Sequence, residues 1–194
     1  VITREFNDNE FLMMVTRKGT VKRIPFVALK TNRKGGIRAI TLDEDDHLIN
    51  VIRTEGDDNI VLATANGMAI CFNENDVRPM GRDAAGVRGI SLSGQDFVIG
   101  AEKAEEGKTL LTVTENGYGK LTEPAEYTEH HRGGGGVTAH NLTDKTGALV
   151  GIRCVTLNDD LLLINDAGVV IRMGMEDIRI CGRNSQGVRL IRMD

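Results

Sequence analysis

Short apolar runs recur along the chain in pairs, each pair split by a glycine-containing turn. The pairs are FLMMVT/TVKRI, IVLATA/MAICF, LLTVTE/YGKLT and LLLIND/VVIRM, and the turns are Lys18-Gly19, Asn66-Gly67, Asn116-Gly117 and Ala167-Gly168. The spacings between these turns are 48, 50 and 51 residues. Asn-Gly between strand-like runs is a strong hairpin signal, because a type I′ turn needs positive φ at both central residues. A second marker runs in phase: TNRKGGI (31–37), GRDAAGV (81–87), HHRGGGGV (130–137) and GRNSQGV (182–188). Their closing glycines, Gly36, Gly86, Gly136 and Gly187, lie 50, 50 and 51 residues apart. A fixed period of this size signifies a propeller or another repeat array.

Each period therefore predicts four strands. A hairpin comes first and the Gly turn leads into a third strand, 37–42 in the first copy and 188–193 in the last. A fourth strand follows at 48–53, 97–101 and 149–155, while AEKAEEGK (101–108) reads as a polar link. Val1 to Phe6 resembles a fourth strand whose own repeat is missing. It either closes a ring onto the last sheet or marks the chain as an excerpt of a longer array, the reading its ragged ends favour. The expectation is an all-β protein: one propeller-like array of about four four-stranded blades over residues 1–194. Residues 1–6 end a preceding repeat. The repeats span about 11–56, 59–107, 108–157 and 158–194, and the last is incomplete. Pro25, Pro79 and Pro124 suit loops better than central strands.

Composition changes this picture little. Apolar residues make up 40% and charged residues 27%, ordinary for a globular chain, and no Trp is present. The core must then be Val, Ile, Leu and Met. No apolar run reaches the roughly 20 residues of a membrane span, and no signal peptide is visible, so a membrane role is not expected. Cys71, Cys154 and Cys181 have no metal-ligand or CxxC spacing and read as reduced packing thiols of a cytosolic protein.

Charge changes it more. The net charge is −4, yet residues 16–42 hold eight basic side chains and no acidic one. The acids follow at Asp43 to Asp46 and recur in later links, which places bases and acids on different edges of the array. Four basic Gly turns in register would line one edge as a curved track for phosphates. The candidate DNA-binding residues are Arg17, Lys18, Lys22, Arg23, Lys30, Arg33, Lys34, Arg38, Arg78, Arg82, Arg88, Lys120, His131, Arg132, Arg172, Arg179, Arg183 and Arg189. With no recognition helix and no identical turns, such a track reads charge and bends the duplex rather than reading bases.

Catalytic and metal constellations do not emerge. His130-His131 lacks a third ligand, the GGGG run lacks a P-loop ending, and no serine sits in a nucleophile elbow. Asp43 to Asp46 lacks the EF-hand pattern. Tyr118 is expected to pack or stack.

The runs RKGTVKRI (17–24), NDVRPMGRDAAGVRGISL (75–92), TENGYGKLTEPAEY (114–127), NDAGVVIRM (165–173) and IRICGRNSQGVRLIR (178–192) resemble the C-terminal domain family of the DNA gyrase A protein, over essentially the whole chain. The resemblance implies a β-pinwheel whose neighbouring repeats exchange strands. It also implies a bacterial, cytoplasmic, chromosome-associated protein that wraps duplex DNA on a basic rim in support of ATP-dependent negative supercoiling by a type IIA topoisomerase. The rest of the gyrase A protein and the gyrase B protein are the implied partners. ATP and Mg²⁺ are expected in the parent enzyme, with no cofactor, metal or catalytic residue in this segment. Two departures stand out: about four repeats rather than six, and no QRRGGRGK-type signature box, so the expectation is that this segment alone binds DNA without completing a supercoiling wrap. The paralogous topoisomerase IV domain shares the fold and is an alternative, as is a protein-interaction propeller.

Overall fold

A computed structural model describes residues 1–193. All regular structure there is strand or short 3₁₀ turn. The strands are β1 (Phe11–Thr16), β2 (Thr20–Pro25), β3 (Leu48–Thr54), β4 (Asn59–Thr64), β5 (Met68–Asn73), β6 (Val87–Arg88) and β7 (Val98–Ala104). They continue as β8 (Thr109–Thr114), β9 (Tyr118–Thr122), β10 (Val137–Thr138), β11 (Leu149–Val155), β12 (Asp160–Ile164), β13 (Val170–Gly174) and β14 (Val188–Arg189). No helix among the described residues is long and apolar enough to cross a membrane.

Three sheets are four-stranded, in the orders β3-β1-β2-β6, β7-β4-β5-β10 and β11-β8-β9-β14. The fourth holds only the hairpin β12-β13. Every pairing in them is antiparallel. The outermost strand of each complete sheet comes from the next repeat: Val87 pairs with Val21, Val137 with Ala69, and Val188 with Gly119. Neighbouring repeats therefore exchange strands. β7 packs against both β3 and β11. The fourth strands thus converge on one inner edge, and the Gly turns lie on the opposite, outer rim.

Alternating residues of one strand enter two different cores. Ile60 and Leu62 pack with Met13, Val15 and Val21 of the first sheet. Val61 and Ala63 pack with Leu110 and Ile152 of the third. Stacked this way, a central strand is buried on both faces.

Several expectations are corrected. The third strands contain two residues each, and residues 37–42 form none, because this element is paired only where a preceding hairpin lends its edge. Val1 to Phe6 is not a strand; it closes no sheet, and Phe6 instead packs on Phe26, ring centroids 4.9 Å apart. The third strand after Gly187 stops at Arg189. Residues 101–104 belong to β7 rather than to a link. Pro25 is the last residue of β2. The hairpin turns are also not type I′: only the glycines are left-handed, with φ +84°, +79°, +79° and +79° at Gly19, Gly67, Gly117 and Gly168. Gly67 N–H donates to Thr64 O at 3.0 Å, which with a non-left-handed Asn66 makes a type I turn closed by a left-handed glycine. A side-chain oxygen at the strand end completes it: Thr16, Thr64 and Thr114 Oγ1 and Asn165 Oδ1 each accept the backbone N–H four residues on.

Candidate nucleic-acid interface

The rim is built by the segment that leaves one hairpin and travels along the edge of the previous one. From the 3₁₀ turn Glu74–Asp76 the chain crosses to the first sheet, where Met80 N–H donates to Arg23 O at 2.8 Å. It then forms the turn at 81–86 and pairs as β6. Gly86 closes that turn at φ +101°, and a Cβ there would lie 2.6 Å from Val21 O. Glycine is required because the strand behind leaves no room for a side chain and the backbone is left-handed.

The candidate residues fall into three groups. Lys30, Arg33, Lys34, Arg38, Arg78, Arg82, Arg88 and Arg179 are exposed on or beside the rim turns. Among the described residues none of them forms an ion pair. Arg189 joins them on the last outer strand, its Nε and Nη2 donating to Tyr118 Oη at 3.2 and 2.9 Å.

A second group is exposed or half-buried and engaged. Arg17 stacks on the Phe97 ring at 3.5 Å. Lys18 Nζ donates to Glu44 O at 2.9 Å. Arg172 is paired with Asp160, and the His131 ring lies 3.2 Å from the Asp76 carboxylate. Arg132 and Arg183 act as rungs between successive outer strands. Arg132 donates to Arg88 O at 3.0 Å and Arg183 to Thr138 O at 2.8 Å.

The third group is a correction. Lys22, Arg23 and Lys120 lie inside the protein and cannot meet a phosphate. Lys22 Nζ donates to Ala39, Arg82 and Ala84 carbonyls at 2.8, 2.7 and 2.7 Å. Lys120 Nζ does the same with Gly182, Arg183 and Ser185 at 2.9, 2.6 and 3.0 Å. Arg23 pairs with buried Glu74 at 2.9 Å and covers the Phe11 ring at 3.8 Å. Burial lowers the Lys22 ammonium below its usual range, the nearby Asp83 opposing this, and brings Lys120 down to about 8.

The acids are not confined to another edge either. Asp46 accepts from Lys18 N–H at 2.9 Å, so the acidic link Asp43 to Asp46 lies against the first hairpin turn. Between that turn and the next rim turn is a cleft of about 350 Å³ lined by Thr16, Lys18, Thr20, Thr41, Asp43 and Arg88, among others. Lys145 was not legible as a rim residue. It lies in a loop that is remote in sequence but brings its Nζ within 5.4 Å of the Tyr118 ring centre, beside Arg189. Burial raises the Tyr118 phenol, but the Arg189 hydrogen bond and the charges of Arg189 and Lys145 outweigh it, leaving the phenol below its usual range. Tyr118 is buried, a packing residue as expected.

The family model described as "DNA gyrase C-terminal domain, beta-propeller" matches residues 10–55, 58–105, 108–156 and 159–194. The DNA gyrase A protein of Clostridium acetobutylicum is 47% identical over 189 residues, which is 97% of this chain and 23% of that protein. The DNA gyrase A protein of Lawsonia intracellularis is 41% identical over 194 residues, 98% of this chain and 24% of that protein. The chain thus spans about a quarter of the curated relatives it matches. A DNA gyrase A C-terminal domain structure superposes with TM-score 0.87 at 26% identity, covering 99% of this chain and 64% of the other. A DNA topoisomerase IV C-terminal domain gives 0.91 at 26% identity, covering 99% and 60%.

Proposed function

The chain belongs to the DNA gyrase C-terminal domain family, and from that membership we propose that it binds duplex DNA without sequence preference and bends it along the rim. The observation that carries this reading is the placement of exposed cations outside ion pairs along one edge: Arg33, Lys34 and Arg38 at the first rim turn, Arg82 and Arg88 at the second, and Arg179 and Arg189 at the fourth. Charges in register on a rigid edge meet phosphates at repeated intervals, and the bend is offset by the additional contacts it allows. Within a full-length gyrase A protein the segment would present a bent duplex to a strand-passage core built elsewhere. ATP and Mg²⁺ would act there, together with the gyrase B protein, in the bacterial cytoplasm. The topoisomerase IV reading is weaker, because the curated relatives at 37–47% identity are gyrase A proteins.

Titration of a duplex of about 150 bp at two salt concentrations tests the proposal. Each phosphate neutralised contributes about −0.9 to the log–log salt slope, so several contacts lower affinity by about a thousandfold between ~50 and ~200 mM salt. Replacing Arg33 and Lys34 by Ala should weaken binding equally for unrelated sequences. A loss confined to one sequence, or salt-insensitive binding, would contradict a phosphate track.

A further inference from the structure

We infer that Lys22 and Lys120 are positioning residues for the DNA backbone: each ammonium holds the carbonyls of the next repeat's rim turn inward, which turns the opposite peptide N–H groups outward as a seat for a phosphate. The inference rests on the DNA-binding reading above and adds a contact that no exposed side chain supplies.

The argument is geometric. In a trans, planar peptide the N–H points opposite to the C=O, and no peptide bond among the described residues is cis. Lys22 Nζ takes the carbonyls of Arg82 and Ala84, so the N–H groups of Asp83 and Ala85 face away from it. Lys120 Nζ takes the carbonyls of Gly182, Arg183 and Ser185, so those of Arg183, Asn184 and Gln186 face away. The outward direction is already used once by an anion: Arg183 N–H lies 3.5 Å from a Glu126 carboxylate oxygen. The N–H groups of Asp83, Ala85, Asn184 and Gln186 have no backbone acceptor among the described residues. Asp83, Ala85 and Asn184 are exposed. Outward-facing main-chain N–H groups without an acceptor are donors for phosphate oxygens.

The repeats differ at this point. Asp83 puts a carboxylate on the turn over Lys22 where the turn over Lys120 has neutral Asn184, so the turn over Lys120 is the stronger seat. The middle sheet has Ile70 in place of the lysine. Its turn is the glycine run 133–136, and there Gly134 O accepts from Ser91 N–H at 2.8 Å. No ammonium organises that turn, so the phosphate contacts should skip it.

Proton binding at Lys120 then couples to DNA. The titratable and charged groups around it are Cys181, Arg183 and Glu126, together with buried His140. With the ammonium near a pKa of about 8, affinity should fall as pH rises through that value.

The decisive experiment is a ¹⁵N NMR titration of the chain with a short duplex, alongside salt and pH titrations of wild type and Lys120→Met. The amides of Asn184 and Gln186 should shift strongly on binding. Lys120→Met should abolish those shifts, lower affinity about tenfold and flatten the pH profile between 7 and 9.5. If Lys120→Met does not fold, the wild-type amide shifts and pH profile decide alone. Binding that leaves both amides unmoved, or a folded Lys120→Met with unchanged affinity and pH profile, would overturn the seat while sparing DNA binding. Absence of any wild-type binding at low salt would overturn both readings.

Discussion

Both ring nitrogens of His140 are used inside the protein. Nε2 lies 2.9 Å from Gln186 O and must carry the proton, since a carbonyl only accepts; Nδ1, 3.1 Å from Thr112 Oγ1, then accepts. Burial, chiefly, holds the ring's pKa down to about 4. An unfolded chain would titrate near 6.5, so between about 6.5 and 4 the unfolded state binds more protons. Stability from this group is full above pH 6.5 and is lost as pH falls toward 4, by up to about 3 kcal/mol. Urea unfolding at pH 7, 5.5 and 4.5 checks this: wild type should lose more stability than His140→Gln, and parallel losses would refute it. Lys22, Arg23 and Lys120 teach the complementary lesson. Their sequence context reads as a basic strand beside a Gly turn, the same signal that marks the exposed Arg33, Arg82 and Arg88. The sequence could not separate them, because a strand covered on both faces, whether by a neighbouring sheet or by the segment around Phe26 to Ile40, has no solvent face. A polar residue there signals a buried partner as readily as exposure. The partners of Lys120 are more than sixty residues ahead of it.

At the level of elements, the hairpins were legible because their signals are local: a short apolar run, a glycine turn, a second run. Strand exchange was expected only through the family resemblance, since it is carried by two-residue pairings whose hydrophobic pattern is too short to show a period. The glycines closing the rim turns mark where the exchange happens. Gly36 and Gly136 share a left-handed backbone, φ +72° and +75°, but differ in surroundings. A Cβ on Gly36 would touch nothing within 4 Å, whereas one on Gly136 would lie 2.3 Å from Ala69 O. Gly36→Ala should therefore cost the left-handed penalty alone, about 1–2 kcal/mol. Gly136→Ala should cost more and speed amide exchange in β10, as thermal unfolding and hydrogen exchange would report. Equal costs would mean that the outer strand is not held against β5. Glu74 supplies a second joint between repeats. Its Oε2 meets Arg23 Nε at 2.9 Å and Thr54 Oγ1 at 2.6 Å, and its Oε1 accepts from Gly56 and Asp58 N–H at 2.7 and 2.9 Å. Glu74→Ala leaves a buried guanidinium unpaired and should destabilise by about 3–5 kcal/mol in denaturant titrations. A loss under ~1 kcal/mol would show that water enters the joint. In the sequence Glu74 was one acid in a polar loop, with nothing local to mark it as buried.

Across the whole molecule, the fifty-residue period predicted the array and the edge that carries the Gly turns, because any repeat that stacks places equivalent positions in line. Charge separation between edges was not predicted correctly, since the links between outer and fourth strands return to the hairpin turns. Stacking also explains which apolar residues are exposed. In register, Leu162 and Ile164 of β12 correspond to Val61 and Ala63 of β4, which are wholly buried against the third sheet. No further sheet covers that face of β12 within the described residues, and Leu162 and Ile164 are 57% and 65% exposed. The same strand position thus carries opposite energetics according to its place in the stack. Val61→Lys inserts a charge between two sheets and should cost several kcal/mol, enough to unfold much of a protein of ordinary stability. Leu162→Lys in this chain should change stability by no more than about 0.5 kcal/mol. Hydrogen exchange should follow the same gradient, faster in β12 and β13 than in β4 and β5, because stability in a stacked array is the sum of each repeat and its neighbours' interfaces. If Val61→Lys were tolerated as readily as Leu162→Lys, the second and third sheets would not be packed together, and the rim could not hold its turns in the register that a phosphate track requires.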